Sequence, residues 1–445
     1  MTDSGAVTEG IGASWSLLRR NRDFRDLYVA SLISLGGDWF LLVALFELVQ
    51  SLTPSGFAIA LLIGAQDLTY FAASPLGGVL SDRLDRRSLM VVCDISRAAL
   101  CVGFLFIHSS STVWVAYALL AAMACFSASF EPASAAALPN LVEPEDLPTA
   151  SALAGSLWGT MLVVGAAIGG VVTAIFGRDT AIVVDAISFV CSAGLIVRIR
   201  RSFSEERSTE RTGIREATKE TIVYARKDHR VLALIAVKFG WGLAGGVLVL
   251  IPLMAHKVFG AGAIGVGLLM SARGVGALFG PFIGRRSLGE RDRRLFVAIG
   301  VALVTFGLGY GLFGLAPAIG IAMLTVALAH LGGGAQWMLS TYGLQRIVPD
   351  HIRGRIFAFD GMLVTLTFGA SSLVNGWLAD RFGIRHTALG MGILAMSWAV
   401  IWTWLTTEVR RATMLEGCGA PPSDALTPDR RAEDVPPDLR AEGLP

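Results

Sequence analysis

Apolar residues run along the chain in long blocks separated by short polar punctuation. Twelve blocks fall at about 27–50, 57–80, 88–108, 113–136, 149–176, 180–200, 230–255, 262–284, 295–315, 318–342, 355–379 and 385–406. Crossing roughly 30 Å of hydrocarbon takes about 20 mostly apolar residues, and each block reaches that length. Blocks this long predict helices, which satisfy their own backbone groups in lipid. The pattern also repeats. Pro75-x-x-Gly78 is echoed by Pro281-x-x-Gly284, Leu138-Pro139-Asn140-Leu141-Val142 by Leu344-Gln345-Arg346-Ile347-Val348, and Gly170 and Gly177 by Gly376 and Gly383, all at an offset of 206 residues. The expected fold class is an all-α membrane protein with twelve transmembrane helices in two pseudo-symmetric six-helix bundles. Two similar membrane halves are the usual architecture of secondary transporters, with the binding site between them near the midplane.

The punctuation divides the chain further. Residues 1–26 form an N-terminal segment whose stretch Leu17–Leu27, basic and partly apolar, predicts a short interfacial helix. That segment has no apolar core ahead of a small-residue cleavage site, so no cleaved signal peptide is expected and the first span is the insertion signal. Residues 27–200 and 230–406 are the two bundles. Between them, residues 201–229 are polar, and Ile214, Ala217, Thr221, Ile222 and Ala225 recur at helical spacing, which predicts an amphipathic linker helix. Residues 407–445 are rich in Pro, Asp, Glu and Arg and predict a disordered tail.

Composition agrees: 53% of the 445 residues are apolar and 16% charged, with mean hydropathy +0.61. The net charge of +2 implies no nucleic-acid partner; its distribution reports topology instead. Arg178, Lys257, Arg381 and Arg385 lie in the loops of one side, Arg97, Lys238 and Arg273 lie within spans, and every other basic residue falls on the opposite side. Lys and Arg are retained in the cytoplasm, so both termini are expected there. The excess of Arg over Lys suggests a GC-rich bacterial genome and hence a bacterial inner membrane. Five cysteines without paired spacing suggest neither a disulfide framework nor a metal site. No cofactor is expected; the expected partners are the bilayer, a small-molecule substrate and protons, with a monomer as the working unit.

At the inner end of the second span the chain reads Gly78-Val79-Leu80-Ser81-Asp82-Arg83-Leu84-Asp85-Arg86-Arg87. An acid followed by three arginines on a short turn suits a latch that holds helix ends together in one state and releases them in another. It equally suits a positive-inside stop with a capping Asp. The segment resembles the G-x-L-x-D-R-x-G-R-R signature of the major facilitator superfamily, matching at Gly78, Leu80, Asp82, Arg83, Arg86 and Arg87, with Asp85 where that signature has Gly. Arg20–Arg25, Ser34–Trp39, Pro132–Leu147, Asp185–Phe189 and Gln345–Arg355 narrow the resemblance to the exporter branch that includes enterobactin and macrolide efflux proteins. It covers about residues 17–406 and implies the major facilitator fold and export of a small hydrophobic or amphipathic compound. Two departures stand out. Gly165-Ala166-Ala167-Ile168-Gly169-Gly170 lacks the proline of the antiporter G-P-x-x-G-G motif, and the fourth span lacks an arginine. Gly165, Gly169 and Gly170 remain suited to close helix packing.

Ionisable groups inside spans are expensive, so they face an aqueous cavity or a partner. From the helical rise, Asp38 lies about 16 Å into span one, Asp67 about 15 Å into span two and Arg273 about 16 Å into span eight, all near the midplane. Asp38 is the first candidate for a proton carrier and Asp67 the second; hydrogen bonding to a neighbouring helix, or pairing with Arg97 or Arg273, is the alternative for Asp38. Asp94 and Arg97 share a helix face and suit mutual neutralisation. Glu131 and Asp360 are candidate partners for the basic turn, whereas Glu47 and Asp185 lie nearer the outer ends and suit interfacial water. Trp39, Trp158, Trp241, Gln336 and Trp337 are candidates for a substrate pocket, and His330 for a packing role. None of the four lysines follows a glycine, so a Gly-Lys-Ser/Thr phosphate loop is missing and an ATP-driven pump is disfavoured. No metal cluster or activated nucleophile suggests an enzyme. An importer or lipid flippase on the same scaffold, and a non-transporting sensor, remain alternatives.

Overall fold

The computed structural model describes residues 14–203, 223–287 and 294–416, the side chains of Asp82, Pro148, Ala152, Asp350, His351, Gly354 and residues 412–416 excepted. The first half contains α1 (Arg22–Leu52), α2 (Gly56–Arg83), α3 (Arg86–Phe104), α4 (Val113–Leu141), α5 (Leu147–Phe176) and α6 (Arg178–Arg198). The second contains α7 (His229–Gly245), α8 (Gly262–Ser287), α9 (Leu295–Leu315), α10 (Ile319–Ile347), α11 (Asp350–Phe382) and α12 (Ile384–Leu405). Among the described residues there is no strand. Eleven helices among the described residues are long and apolar enough to cross a membrane. α3 falls short because its 19 residues include Arg86, Arg87, Asp94 and Arg97, yet it occupies the third position, packed against α4 and α6.

The repeat seen in the sequence recurs in the helix boundaries. Gly56 and Gly262, Val113 and Ile319, and Arg178 and Ile384 each open corresponding helices 206 residues apart. Gly177 (φ 84°) and Gly383 (φ 87°) make the tight turns after α5 and α11, where a side chain would be strained. The one strongly irregular span is α7. It continues through a 3-10 turn (Gly246–Val249), a helical turn (Leu250–Leu253) holding Pro252, and a π turn (Met254–Val258).

Side-chain caps explain several helix ends. Asn21 accepts from Phe24 N at 3.0 Å and donates to the Leu141 carbonyl at 2.8 Å, tying the start of α1 to the end of α4. Asp85 accepts from Ser88 N at 2.9 Å and so caps α3, a job that glycine in the family signature does not do. Residues 14–20 are helical, and Leu17 is buried against Phe24, Val142 and Ala150. Most of the linker, with Ile214, Ala217, Thr221 and Ile222, lies outside the described residues, as does the tail from 417 onward. Residues 407–416 depart from the expected disorder: they form a further helix, α13 (Thr407–Glu416). Arg410 Nη2 accounts for its start, reaching back to the Thr403 carbonyl at 2.6 Å and covering the C-terminus of α12.

Across the halves, α2 packs on α11 and α5 on α8. Both seams are close-packed at the end away from the basic loops, the far end. There a Cβ built on Gly170 would lie 2.9 Å from the Ala263 oxygen and from Gly267 Cα, and one built on Gly376 would lie 2.4 Å from Ala60 Cβ. Along the α5 face the contact continues through Gly274 against Val163 and loosens at Gly159, 3.9 Å from Leu278. One turn further toward the basic end, a Cβ on Gly155 meets nothing within 4 Å, and the same holds for Gly78 on α2. The halves therefore touch at the far end and part toward the basic end.

Polar contacts reinforce the far end. Asp380 of α11 accepts from Ser55 Oγ at 2.6 Å, Gly56 N at 2.6 Å and Phe57 N at 3.0 Å, so one half caps the N-terminus of α2 in the other. Lys257 donates to the Pro54 carbonyl, and His256 lies 3.3 Å from Glu47. A hydrogen bond to a charged group contributes about 1.5–3 kcal/mol. Asp380→Ala should therefore favour far-end opening by roughly 2 kcal/mol, more than tenfold. The check is the alkylation rate of a cysteine at Ala60, which is buried in this seam; the substitution should speed alkylation more than tenfold, and an unchanged rate removes Asp380 from the tie.

Candidate functional site

Inside the first half, α1, α3, α4 and α6 enclose a polar core. Arg97 is 4% exposed, pairs with Asp94 one turn away, and lies between the rings of Phe130 (4.7 Å) and Phe189 (4.4 Å). Its charge is thus neutralised and its flat faces are covered by aromatic surface. Asp185 departs from the interfacial place expected of it. It is fully buried and accepts from Cys101 Sγ at 3.0 Å and Ser188 Oγ at 3.2 Å. It packs onto the bare backbone of Gly37, where a Cβ would lie 2.3 Å from its Oδ1. The signal was present: Asp185, Ser188 and Ser192 form a polar stripe at i, i+3 and i+7 on one face of an apolar helix.

Asp38, next to Gly37, is half-buried and within electrostatic reach of Arg97, Asp94, Glu131 and Asp185. Among the described residues it has no ion pair. Trp39 is buried and stands edge-on to Trp158 of α5 at 6.5 Å. Gly165 and Gly169 give α5 its close approach to Trp39 and Phe40 of α1, whereas Gly170 faces α8 in the other half.

Glu131 and Asp360 do not join the basic turn. Glu131 accepts from the Tyr70 hydroxyl of α2, and Asp360 of α11 pairs with the buried Lys238 of α7 at 2.5 Å and is itself buried. The reason is depth: each sits beyond reach of the turn and takes the polar group that faces it. Arg86 instead donates to the Ala136 and Phe203 carbonyls, both at 3.0 Å. Arg87 donates to the Arg201 carbonyl at 2.7 Å and covers the Phe203 ring. These two arginines thus bind the basic end of the first half to itself. Gly78 packs against nothing, Arg83 is exposed, and the side chain of Asp82 lies outside the described residues.

In the second half Lys238 also stands 4.8 Å from the Trp337 ring. Trp241 meets Trp337 edge-on at 5.5 Å and stacks on Phe368 at 5.6 Å. Gln336 is 1% exposed, with neither amide atom partnered among the described residues. His330 takes the packing role, bonded to the Tyr310 hydroxyl at 2.6 Å.

Two candidates meet at the seams. Asp67 lies against Gly369 of α11, and its Oδ2 is buried without a partner among the described residues. Arg273 of α8 is 6% exposed, and its guanidinium stands 5.5 Å from the Trp158 ring of the opposite half. Asp67 and Arg273 lie within electrostatic reach of one another. They are also 206 residues apart, so the repeat places an acid and a base at equivalent points of the two halves. That offset is the sequence signal that links them. Among the described residues no group of three or more His, Cys, Asp or Glu is placed to hold a metal ion.

The profile of the transmembrane secretion effectors, a family of major facilitator transporters, matches residues 12–420. The chain belongs to that family. It is 26% identical over 397 residues to the uncharacterized MFS-type transporter YfiS of Bacillus subtilis (strain 168), covering 85% of this chain and 92% of that protein. It is 23% identical to macrolide efflux protein A of Streptococcus pyogenes, covering 87% and 96%. Among solved structures, an inward-facing, unoccupied bacterial homolog of the human lysosomal transporter Spinster aligns with TM-score 0.67 at 13% identity, covering 89% of this chain and 98% of that one. A POT family transporter in complex with a thioalcohol-conjugated peptide aligns at 0.70 with 12% identity, covering 87% and 96%. These likenesses establish the fold: the chain is a multi-pass membrane transporter of the major facilitator type, with efflux proteins among its relatives.

Removing one member of the Lys238–Asp360 pair strands a buried charge, at a cost of about 3–5 kcal/mol. Asp360→Asn should lower the thermal unfolding temperature in detergent clearly, and the double change Lys238→Met, Asp360→Leu should recover most of that loss. A double variant no more stable than Asp360→Asn contradicts the pairing.

Proposed function

We propose that this protein is a proton-coupled exporter of small hydrophobic or amphipathic compounds, working by alternating access in the bacterial cell membrane with both termini cytoplasmic. The supporting observation is the union of a far end held shut across the halves with a half-buried carboxyl at mid-depth, Asp38, that has no ion pair among the described residues. With the basic end on the cytoplasmic side, the space between the halves opens inward, where an exporter collects its cargo. Residues 27–200 and 230–406 act as the two moving bodies. Trp39, Trp158, Trp241 and Trp337 offer apolar surface to the cargo, as aromatic groups do in small-molecule sites.

Hydrocarbon favours a neutral carboxyl, so Asp38 takes a proton from one side and yields it to the other as access alternates. Asp67 is the second candidate for that role. One charge crossing 100 mV contributes about 2.3 kcal/mol, whereas a tenfold gradient of a neutral compound costs about 1.4 kcal/mol. A single proton therefore sustains more than a tenfold gradient. The inhabited range of relatives, which includes a macrolide efflux protein, supports export over import.

In proteoliposomes, Asp38→Asn should abolish pH-driven movement of a fluorescent dye such as ethidium, at least tenfold, with the amount of inserted protein unchanged. Undiminished pH-driven flux excludes Asp38 as carrier. Cells lacking the gene should retain more dye than cells expressing it; lower retention points to import.

A further inference from the structure

The three cations within the spans are treated unequally. Arg97 has Asp94 and Lys238 has Asp360. Arg273 has neither an ion pair nor a hydrogen bond among the described residues, and its buried Nε is unpartnered. A guanidinium carries five N–H donors in a rigid fork. The Arg273 Nε is met by no partner away from water, which is costly, and an ionisable group kept in a membrane at that cost is a functional site by default. The Trp158 ring at 5.5 Å offsets only part of the loss. Asp67 of the other half is near enough to be felt but makes no ion pair with it, and Tyr310 is bonded to His330 instead.

Position adds to this. Ser271 Oγ donates to the Val163 carbonyl at 2.9 Å, and Gly274 packs directly on Val163, so the backbone on both sides of Arg273 is fixed against α5. Just beyond, at Gly159 and Gly155, the seam opens. Trp158 lies at that mouth, 47% exposed, with Trp39 edge-on behind it. A cation with free donors thus stands beside an open aromatic face.

We propose that Arg273 and Trp158 form an anion subsite that takes a carboxylate of the transported compound, with its apolar or aromatic body laid against Trp158 and Trp39. The guanidinium fork matches a carboxylate in two parallel hydrogen bonds, which a neutral ester does not reproduce. The inference rests on the transport function proposed above and narrows its cargo to hydrophobic organic acids. An inside-negative membrane potential favours outward passage of such an anion.

The test uses the purified full-length chain in non-ionic detergent and two probes with the same aromatic body, dansylglycine and its methyl ester, followed by energy transfer from tryptophan. The wild-type chain should bind the acid at least tenfold tighter than the ester. Arg273→Gln should abolish that preference while ester affinity stays within twofold, and Arg273→Lys should retain part of it. A wild-type chain that binds the acid no better than the ester, or not at all, overturns the subsite; so does a preference that survives Arg273→Gln. The wild-type comparison stands even if a variant fails to fold. An intact acid preference with no transport in proteoliposomes removes the transport function and leaves the subsite; transport without the preference removes the subsite alone.

Discussion

Hydrocarbon offers no partner to a charge, and the interior of this protein is arranged around that constraint. Arg97 is neutralised by Asp94 and enclosed by Phe130 and Phe189; Lys238 is neutralised by Asp360 and covered by Trp337. Each pair lies within one half, so each contributes the same amount wherever the halves stand relative to one another. Groups without such partners lie elsewhere. Asp38 is half-buried, and Asp67 and Arg273 sit at the two seams. The division separates charges that hold a bundle together from charges whose surroundings would change under the alternating access proposed above.

The seams themselves are built from small residues. Lipid gives little drive for helices to associate, so close packing supplies it, and backbone meets backbone at Gly170 and Gly267 and near Gly376. Such surfaces carry few interlocking side chains. The specific polar ties are concentrated at the far end, where Asp380 caps α2 and Lys257 and His256 reach across. Each tie is local and made of exposed or part-buried groups, which suits a closure that must also break. The arginines of the basic turn do different work in this state: they bind carbonyls of their own half and leave the facing surfaces apart.

Much of this was legible in the chain because it is local or repeated. Twelve apolar blocks, the 206-residue offset and the Asp94–Arg97 spacing each follow from helix geometry over a few turns. What escaped depends on residues far apart in sequence. Lys238 and Asp360 are separated by 122 positions, and nothing in either neighbourhood names the other. Asp380 looks like one more loop acid until α11 is set beside the start of α2. The burial of Asp185 is written in the Ser188 and Ser192 stripe on its own helix face, not in its depth along the span. Composition at 407–416 carries no sign of the contact by which Arg410 extends helix past α12.

Under the proposed function the two halves close at one end as they open at the other. Pairs of spin labels in a cysteine-free background measure this directly: one pair at Leu76 and Phe282 near the basic end, the other at Phe57 and Phe382 at the far end. The distance distributions are recorded by pulsed electron resonance in lipid nanodiscs, before and after a shift from alkaline to acidic pH. Alternating access predicts that the two distances change in opposite directions, the basic-end pair shortening in the population in which the far-end pair lengthens. Distances that stay fixed, or that rise and fall together, contradict it.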